Sequence, residues 1–425
     1  MAYFSTFTNH NSLAIMKLKI ANNLLFIFLL SMVSVSCSSI DHKKEQPYLI
    51  VLSLDGFRWD YPDHANTPTL DSLSQVGVRT NIIPSYPTKT FPNHYSMATG
   101  LYPDHHGIVL NGFYAVDLGK QYSLGDRRAV ADANFYGGEP IWNTCEKQGV
   151  KTATLFWVGS EAPINHLTPT YWSAYNQKLS FESRIDSLFN WLSLPETQRP
   201  HLIMWYYHEP DHTGHQFGPR SLETVAEVER LDHNLGMFFK RMRQLPDYHQ
   251  LNFIVTSDHG MGEISPDRQV ILDETIDTSW FERFDGWNPN WNFKVKAGLM
   301  EKVYSNLKKV PHVKVYHHDS IPGRLHYGSN PRTYDFTLEA DSGYSIYWTW
   351  NISDGLGTHG YDNRNRDMHA IFYAAGPVFK KGYQAPAFEN VNLYELMAEI
   401  LHIVPVKTDG ELANTESMLL PKSRP

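Results

Sequence analysis

The residues of this chain best suited to chemistry are one threonine and six metal-ligand side chains. Thr90 lies in the stretch PTKTFPNH (87–94). A threonine hydroxyl is a poor nucleophile at neutral pH and needs a base or a metal ion to remove its proton. The segments LSLDGFR, HEPDHTGH, VTSDHG and GTHG supply carboxylate and imidazole groups that could serve it. The six candidate ligands are Asp55, Asp211, His215, Asp258, His259 and His359.

These residue types favour a two-zinc site for phosphoryl transfer. Mixed Asp and His ligation suits zinc better than magnesium, which prefers oxygen ligands and retains water. Two ions about 3.5–4 Å apart clamp the attacking and leaving oxygens of an in-line displacement. A metal ion on Thr90 would both lower the pKa of its hydroxyl and position it. The residues therefore predict an enzyme with two zinc ions in each chain.

Each group also has an ordinary structural interpretation. Asp55 is suited to a helix cap or a turn. Thr90, just ahead of a helix predicted over 94–99, is suited to an N-cap, and His359 is suited to a turn between two glycines. These interpretations weaken when the groups are considered together, because the chemistry needs all of them.

Four apolar runs alternate with segments of helical periodicity, which predicts an α/β domain with a mainly parallel central sheet flanked by helices. Continuous apolar runs are typical of parallel strands that are buried on both faces. The apolar runs cover residues 48–54, 201–207, 251–256 and 368–374, and the helical segments cover 69–76, 181–192, 222–242 and 391–401.

Three groups of candidate ligands follow these apolar runs directly. In a parallel sheet, sites gather at the carboxyl ends of the strands. Asp55 and the pair Asp258–His259 come at such ends. Asp211 and His215 lie four residues apart; Pro210 and Gly214 favour a loop there, from which both side chains could still reach one ion.

The segment 265–350 interrupts the alternation and is rich in Trp, Asp, Asn and Pro. We predict a smaller α+β insertion there, with a helix over 292–309 and short strands near 312–317, 335–340 and 344–348. The chain would then return to the main sheet at His359. The catalytic domain is predicted to cover 48–425, with this insertion inside it.

The amino terminus has the features of an export signal. A positive region at 16–19 precedes a compact apolar run at 24–35, and small residues lead to Cys37. We expect residues 1–37 to be a signal segment, with translation starting at Met1 or Met16, and 38–47 to be a linker. Cys37 lies where bacterial lipoproteins carry their lipid, which predicts a membrane anchor and a location in the periplasm or outer membrane of a bacterium. Ordinary signal cleavage and an uncleaved anchor are the alternatives.

Charge and cysteine content exclude two classes of protein. The formal net charge is −8 at pH 7, whereas a general nucleic-acid binder would normally show a basic surface, so no binding of nucleic-acid polymers is expected. The chain has 2 cysteines, Cys37 and Cys145. Signal processing would leave Cys145 without an intrachain disulfide partner, so stability must come from the core.

The motifs together resemble the ectonucleotide pyrophosphatase/phosphodiesterase family of the alkaline phosphatase superfamily, in a bacterial single-domain form. The resemblance rests on PTKTFPNHYSMATGLYPDHHGIVLNGFY (87–114), LSLDGFR, PDHTGH, SDHGM and THGYDN. It implies an alkaline-phosphatase-like α/β fold with two zinc ions and Thr90 as nucleophile. By motif match, one ion would be held by Asp211, His215 and His359, and the other by Asp55, Thr90, Asp258 and His259.

The resemblance also implies roles for substrate-binding residues. Asn111, in LNGFY, matches a residue that donates a hydrogen bond to a phosphate oxygen. Phe91 matches the aromatic residue that stacks on the nucleobase in nucleotide-cleaving members. Tyr175, in YWSAYN, resembles the opposite face of that slot, and Leu124, in YSLGD, resembles its floor.

The sequence thus predicts a zinc-dependent phosphodiesterase/nucleotide pyrophosphatase that forms a threonyl-nucleotide intermediate and releases nucleoside 5′-monophosphates. Two other activities on the same scaffold remain open. One is a choline-phosphodiester or lysophospholipase C-type hydrolase, and the other is a phosphomonoesterase or phosphonate hydrolase. A metal-dependent surface protein without catalysis is disfavoured by the intact nucleophile and ligand set.

Overall fold

The structure is a computed structural model that describes residues 46–421. The predicted signal segment, with Met16 and Cys37, and the linker up to residue 45 lie outside the described residues. Over residues 46–421, no helix is both long and apolar enough to cross a membrane.

The strands belong to one large sheet and four small ones. In chain order they are β1 (Tyr48–Leu54), β2 (Val78–Ile83), β3 (Gly112–Ala115), β4 (Lys120–Ser123), β5 (Thr152–Leu155), β6 (Tyr171–Ser173), β7 (Leu202–Tyr207), β8 (Leu251–Thr256), β9 (Gly262–Glu263) and β10 (Gln269–Ile271). They continue as β11 (Phe281–Trp287), β12 (Asn290–Val295), β13 (Val313–His317), β14 (Phe336–Ala340), β15 (Ser345–Tyr347), β16 (Gly357–Thr358), β17 (Ala370–Ala375), β18 (Tyr383–Gln384) and β19 (Phe388–Glu389).

The large sheet has the strand order β18-β2-β17-β8-β1-β7-β5-β6, and β19 also pairs with β2. β1 lies at its centre and runs parallel to both β7 and β8. The predicted mainly parallel sheet is therefore confirmed, with one correction. The fourth apolar run, β17, is antiparallel to both β8 and β2. Apolar composition shows that a strand is buried on both faces, but it carries no information about strand direction.

Helices cover both faces of this sheet. They are α1 (Pro68–Val76), α2 (Thr90–Thr99), α3 (Pro103–His106), α4 (Arg127–Val130), α5 (Ile141–Lys147), α6 (Phe181–Leu192), α7 (Asp211–Phe217), α8 (Leu222–Met242), α9 (Met300–Leu307) and α10 (Asn392–Ile400). The helices predicted at 69–76, 181–192, 222–242 and 391–401 correspond to α1, α6, α8 and α10, with ends that differ by one residue at most.

The side chains of β1 alternate between the two faces of the sheet and belong to two different hydrophobic clusters. Ile50, Leu52 and Leu54 pack with residues of α1, α6 and α8 on one face. Leu49 and Val51 pack with residues of α2, α5 and α10 on the other. The continuous apolar run YLIVLSL is explained by this three-layer arrangement, because both faces of the strand are covered.

A third hydrophobic cluster lies around β11, β12, β13 and β14, which form a small antiparallel sheet with α9 against it. The predicted helix over 292–309 is wrong in its first part, since Asn290–Val295 is strand β12 and α9 begins only at Met300. Gly298 lies between them with φ +79, a conformation that ends helical continuity. Pairing of β12 with β11 and β14 on its two sides outweighs its local helical pattern.

Candidate active site

The central strands bring three of the six candidate ligands to one edge of the sheet. Asp55 follows β1, and Asp258 and His259 follow β8, the parallel neighbour of β1. All three side chains are buried. The backbone N–H of Gly56 donates to Asp258 Oδ1 at 3.1 Å, which ties the two strand ends together.

Asp211 and His215 lie on helix α7, and the prediction of a loop there is wrong. Pro210 is the residue before the helix, where the absence of an N–H costs nothing. Gly214 lies inside the helix because its backbone packs closely on Met261: a Cβ there would lie 3.2 Å from the Met261 methyl group. The helical four-residue spacing places both candidate ligands on one face.

His359 follows the short strand β16, and Thr90 is the first residue of helix α2. The N-cap of α2 is Lys89, so the N-cap interpretation of Thr90 is wrong. The helix also begins four residues earlier than the predicted segment 94–99. The Thr90 hydroxyl is therefore not engaged in capping, and its Oγ1 lies 3.2 Å from His259 Nε2.

Three histidines present the same nitrogen to the site. In each ring Nδ1 lies 2.8 Å from a backbone carbonyl oxygen, which makes Nδ1 the donor and leaves the Nε2 lone pair facing inward. This arrangement fixes the orientation of metal-binding histidines in many proteins. The pairs are His215 with Gly357, His259 with Gly260, and His359 with Thr88.

The inward-facing nitrogens meet carboxylate oxygens. Nε2 of His215 and Nε2 of His359 lie 3.5 Å and 3.6 Å from Asp211 Oδ1. Nε2 of His259 lies 3.1 Å from Asp258 Oδ2 and 3.4 Å from Asp55 Oδ1. The structure thus brings all six sequence-predicted ligands into one cluster.

The same three carboxylate oxygens are buried without a hydrogen-bond donor: Asp55 Oδ1, Asp211 Oδ1 and Asp258 Oδ2. A buried carboxylate oxygen without a partner is costly, and lone pairs on the facing Nε2 atoms cannot relieve it. A cation between these atoms would satisfy both kinds of lone pair. The donor set of carboxylate oxygens and neutral imidazole nitrogens therefore fits zinc.

The ligand atoms form two overlapping groups within 4.8 Å: Asp211, His215 and His359 in one, and Asp55, Asp211 and His259 in the other. Asp211 belongs to both. Two neighbouring cation positions with a shared carboxylate between them are consistent with this arrangement.

Electrostatics in the cluster reflect an excess of negative charge. Burial, together with the carboxylates of Asp258 and Asp211, raises the pKa of Asp55. Burial also opposes ionisation of Asp258, but the neighbouring His259 and His94 outweigh it and lower its pKa. Negative charge is therefore crowded in the cluster, and bound cations would offset it.

Asn111 lies beside the first turn of α2. Its Oδ1 accepts a hydrogen bond of 2.9 Å from the backbone N–H of Phe91. This contact orients the amide so that Nδ2 remains a donor on the side of the pocket, which Asn111 lines together with Thr90. The amino end of α2 adds a favourable environment for an anion next to Thr90.

A pocket of about 360 Å³ opens beside Thr90, and we call it the slot pocket. Phe91, Leu124 and Tyr175, all selected from the sequence, line it. The Tyr175 ring packs edge-on against Phe156, with ring centroids 5.4 Å apart. The lining thus combines aromatic and aliphatic side chains against which a flat group could pack.

Tyr206 was not predicted from the sequence; its hydroxyl donates a 2.6 Å hydrogen bond to Asp55 Oδ2, and its side chain also lines the slot pocket. It belongs to the apolar run 201–207, where a tyrosine is indistinguishable from a core residue. His94 was not selected either; it is fully buried, and its Nδ1 lies 3.0 Å from the Thr90 carbonyl oxygen and 3.4 Å from Asp258 Oδ2. Its position four residues after Thr90 was the available signal.

Lys89 is a third residue of this kind. Its Nζ donates to the carbonyl oxygens of Asn288 (2.5 Å) and His359 (2.7 Å). Burial lowers the pKa of Lys89 to about 7, against the opposing attraction of Asp211. The side chain therefore joins the nucleophile-bearing helix to the loop that carries His359.

Comparisons with known proteins agree with this geometry. Residues 49–362 match the family described as type I phosphodiesterase/nucleotide pyrophosphatase. The venom phosphodiesterase CdcPDE of Crotalus durissus collilineatus is 37% identical over 387 residues, which cover 88% of this chain and 47% of that protein. Human ectonucleotide pyrophosphatase/phosphodiesterase family member 1 is 35% identical over 413 residues, covering 92% of this chain and 44% of that protein. The chain thus spans about half the length of the curated relatives it matches.

Among solved structures, murine ectonucleotide pyrophosphatase/phosphodiesterase 5 superimposes with a TM-score of 0.85 at 34% identity, covering 88% of this chain and 100% of that chain. An inactive threonine-to-alanine variant of the murine protein, solved in complex with AMP, gives the same values. The fold is therefore alkaline-phosphatase-like, as the sequence predicted. The chain belongs to the type I phosphodiesterase/nucleotide pyrophosphatase family.

Proposed function

We propose that this protein is a zinc-dependent phosphodiesterase/nucleotide pyrophosphatase that uses Thr90 as its nucleophile and releases nucleoside 5′-monophosphates. The observation that carries this proposal is the set of three buried, unpaired carboxylate oxygens facing three imidazole Nε2 atoms beside the Thr90 hydroxyl. The complex of the murine relative with AMP supports a nucleotide as the ligand.

Two zinc ions would occupy the cluster. Asp211, His215 and His359 would hold one ion, and Asp55, Thr90, Asp258 and His259 would hold the other. The first set is one of the two groups that the structure brings within 4.8 Å, and Asp55 and His259 of the second set form the other group together with Asp211. When bound, zinc supplies a lower pKa for the coordinated hydroxyl and positive charge for the phosphate oxygens.

The chain's own residues position the reacting atoms. Thr90 Oγ1 attacks phosphorus, and the bond from phosphorus to the leaving oxygen breaks with its electron pair remaining on that oxygen. Asn111 Nδ2 and the amino end of α2 stabilise the charge on the phosphate oxygens. Water then cleaves the Thr90–phosphate bond, which restores the hydroxyl and frees the nucleoside 5′-monophosphate.

The slot pocket favours a nucleobase over a choline group. Phe91 and Tyr175 offer aromatic faces for stacking. Aromatic faces would also attract a quaternary ammonium group, but the guanidinium of Arg127 already lies 5.9 Å from the centre of the Tyr175 ring. Glu161, the carboxylate beside it, forms an ion pair with Arg127. A second cation on this ring would thus meet the positive charge of Arg127, whose partner Glu161 is already paired.

Three chromogenic substrates test this assignment in parallel: a nitrophenyl nucleotide diester, nitrophenylphosphorylcholine and nitrophenyl phosphate. We expect the nucleotide diester to have the highest kcat/KM, with Thr90→Ala as the background control. A preference for the phosphorylcholine ester would move the assignment to the choline-phosphodiester hydrolases. A preference for nitrophenyl phosphate would indicate a phosphomonoesterase.

We also propose export and lipid attachment at Cys37, supported by the sequence of residues 16–37. Mass spectrometry of the mature protein should then find an acylated amino-terminal cysteine, and Cys37→Ala should release a soluble form. An unmodified terminus beginning beyond Cys37 would contradict lipidation and leave export intact.

A further inference from the structure

Arg184, on helix α6, is a buried cation that the proposed reaction does not use. Its side chain has no exposed surface. Arginine is almost never fully buried unless an opposite charge pairs with it. The hydrogen bonds of this guanidinium go to backbone carbonyl oxygens instead. Burial lowers the pKa of Arg184, because no carboxylate in the described part of the chain offsets the lost hydration.

Carbonyl groups and aromatic rings hold the guanidinium of Arg184. Its Nε donates a 3.0 Å hydrogen bond to the Leu179 carbonyl oxygen, and its Nη1 donates one of 2.5 Å to the Tyr206 carbonyl oxygen. Its Cζ lies 4.8 Å from the centre of the Phe156 ring and 4.7 Å from that of the Tyr207 ring. Aromatic faces attract a cation, and most strongly where water is excluded.

These contacts link three segments that supply residues to the slot pocket. Phe156 directly follows β5, and Tyr206 lies in β7. Leu179 lies four residues after Tyr175, in the connection between β6 and α6. Phe156, Tyr175 and Tyr206 all line the slot pocket, whereas Arg184 does not. One side chain behind the pocket thus fastens three parts of its lining to each other.

The backbone of Phe156 needs such support. Its φ is +71, in the left-handed region, which a bulky side chain rarely adopts. A conformation of this kind persists only where the surrounding contacts impose it. The Phe156 ring contacts the guanidinium of Arg184 and also packs edge-on against Tyr175. Without the guanidinium, both rings would be less firmly held.

We propose that Arg184 is a positioning residue that holds the aromatic lining of the slot pocket in place for a nucleobase. This inference rests on the proposed function and deepens it, because it names a residue that sets how tightly the base is bound. Arg184 acts through the rings and carbonyl groups that it contacts, and the backbone of Tyr206 is also held by the pairing of β7 with β1. Loss of Arg184 should therefore weaken binding of the base and leave the chemistry at Thr90 unchanged.

Arg184→Met removes the charge and both hydrogen bonds but keeps a long side chain. The matched substrates are the nitrophenyl nucleotide diester and methyl nitrophenyl phosphate, which carries a methyl group in place of the nucleoside. The ratio of kcat/KM for the first to that for the second should fall by about tenfold, in keeping with the loss of one base–aromatic stack. The fall should come from a higher KM for the nucleotide diester at unchanged kcat. This ratio does not depend on the fraction of protein that is folded.

Arg184→Lys keeps the charge but not the planar fork of donors. Its ratio should lie between those of the wild type and Arg184→Met. If Arg184→Met does not fold, a wild-type ratio in Arg184→Lys overturns the proposal.

Arg241 provides the control, since it also stacks on an aromatic ring of α6. Its Cζ lies 4.2 Å from the centre of the Phe189 ring, and neither residue lines the slot pocket. Arg241→Met should keep the wild-type ratio. An unchanged ratio in Arg184→Met, or an equal fall in Arg241→Met, would overturn the proposal.

Calorimetry separates this proposal from the proposed reaction. If the wild type hydrolyses neither diester, the proposed reaction is wrong, and binding of AMP and of inorganic phosphate to the zinc-loaded protein still decides the role of Arg184. An Arg184→Met variant that loses affinity for AMP alone supports a role in holding the base. Equal loss of affinity for AMP and phosphate, or no loss for either, contradicts it.

Discussion

Thr90 is the residue on which the proposed chemistry depends, because it supplies the attacking oxygen. Thr90→Ala should keep the fold and the zinc content while losing several orders of magnitude in kcat, as expected when a nucleophile is removed. Thr90→Ser keeps that oxygen and should retain substantial activity. Rates, metal analysis and circular dichroism on both variants check this prediction; near-native turnover by the alanine variant would refute the role.

Asn111 should contribute to the transition state more than to substrate binding. Its Nδ2 is left free to donate because Oδ1 is held by the Phe91 N–H. Asn111→Ala should raise the activation free energy by about 2.7–4 kcal/mol, the usual cost of removing one oxyanion donor. Steady-state kinetics should show this mainly as a lower kcat. A change confined to KM would instead indicate a role in binding.

Phe91 should distinguish nucleotide diesters from other diesters. Loss of a base–aromatic stack costs roughly 1–3 kcal/mol. Phe91→Ala should therefore lower kcat/KM toward nucleotide diesters by about one to two powers of ten, at 1.4 kcal/mol per decade. A diester that carries a small alkyl group in place of the nucleoside is the control and should be affected little. Equal losses on the two substrates would mean that Phe91 is structural.

At the scale of secondary-structure elements, helix α7 and strand β16 must stay in close contact to hold one set of ligands. A Cβ on Gly357 would lie 2.2 Å from the carbonyl oxygen of Gly214 in α7. Gly357→Ala should push α7, with Asp211 and His215, away from His359. We expect lower zinc occupancy and a lower melting temperature than in the wild type.

Gly323 is the matched control for that substitution, because a Cβ there would meet no atom within 4 Å. Metal analysis and thermal unfolding of Gly323→Ala should resemble those of the wild type. If Gly357→Ala binds zinc as the wild type does, contact between α7 and β16 is not needed for the site.

Individual strands and helices differ in how well the sequence predicted them. The positions of Asp55 and Asp258 were predicted correctly, because an acidic residue just after a buried apolar run lies at the carboxyl end of a strand in a parallel sheet. Helix α7 was missed because the two residues that suggested a loop have other roles. Pro210 directly precedes the first residue of the helix, and Gly214 leaves room for the side chain of Met261. Tyr206 was missed because its hydrogen bond to Asp55 depends on the pairing of two distant strands.

At the scale of the whole molecule, the three-layer core positions a highly charged cluster at one edge of its sheet. Asp55 and Asp258 lie at the ends of adjacent central strands, so the sheet itself forces their carboxylates together. Without cations, these buried charges oppose folding. Zinc should bind the folded chain and not the unfolded one. The free energy of unfolding should therefore rise in proportion to the logarithm of zinc concentration.

Zinc removal and return, followed in one sample, tests whether the cluster is a two-zinc catalytic site. Purified protein should carry close to two zinc ions per chain, and exhaustive chelation should abolish hydrolysis of a nucleotide diester. Activity should then return as zinc is added back, and should level off at about two equivalents, the number that the two overlapping ligand groups can hold. Full activity in the chelated protein, or a native protein that contains only magnesium, would contradict a two-zinc mechanism.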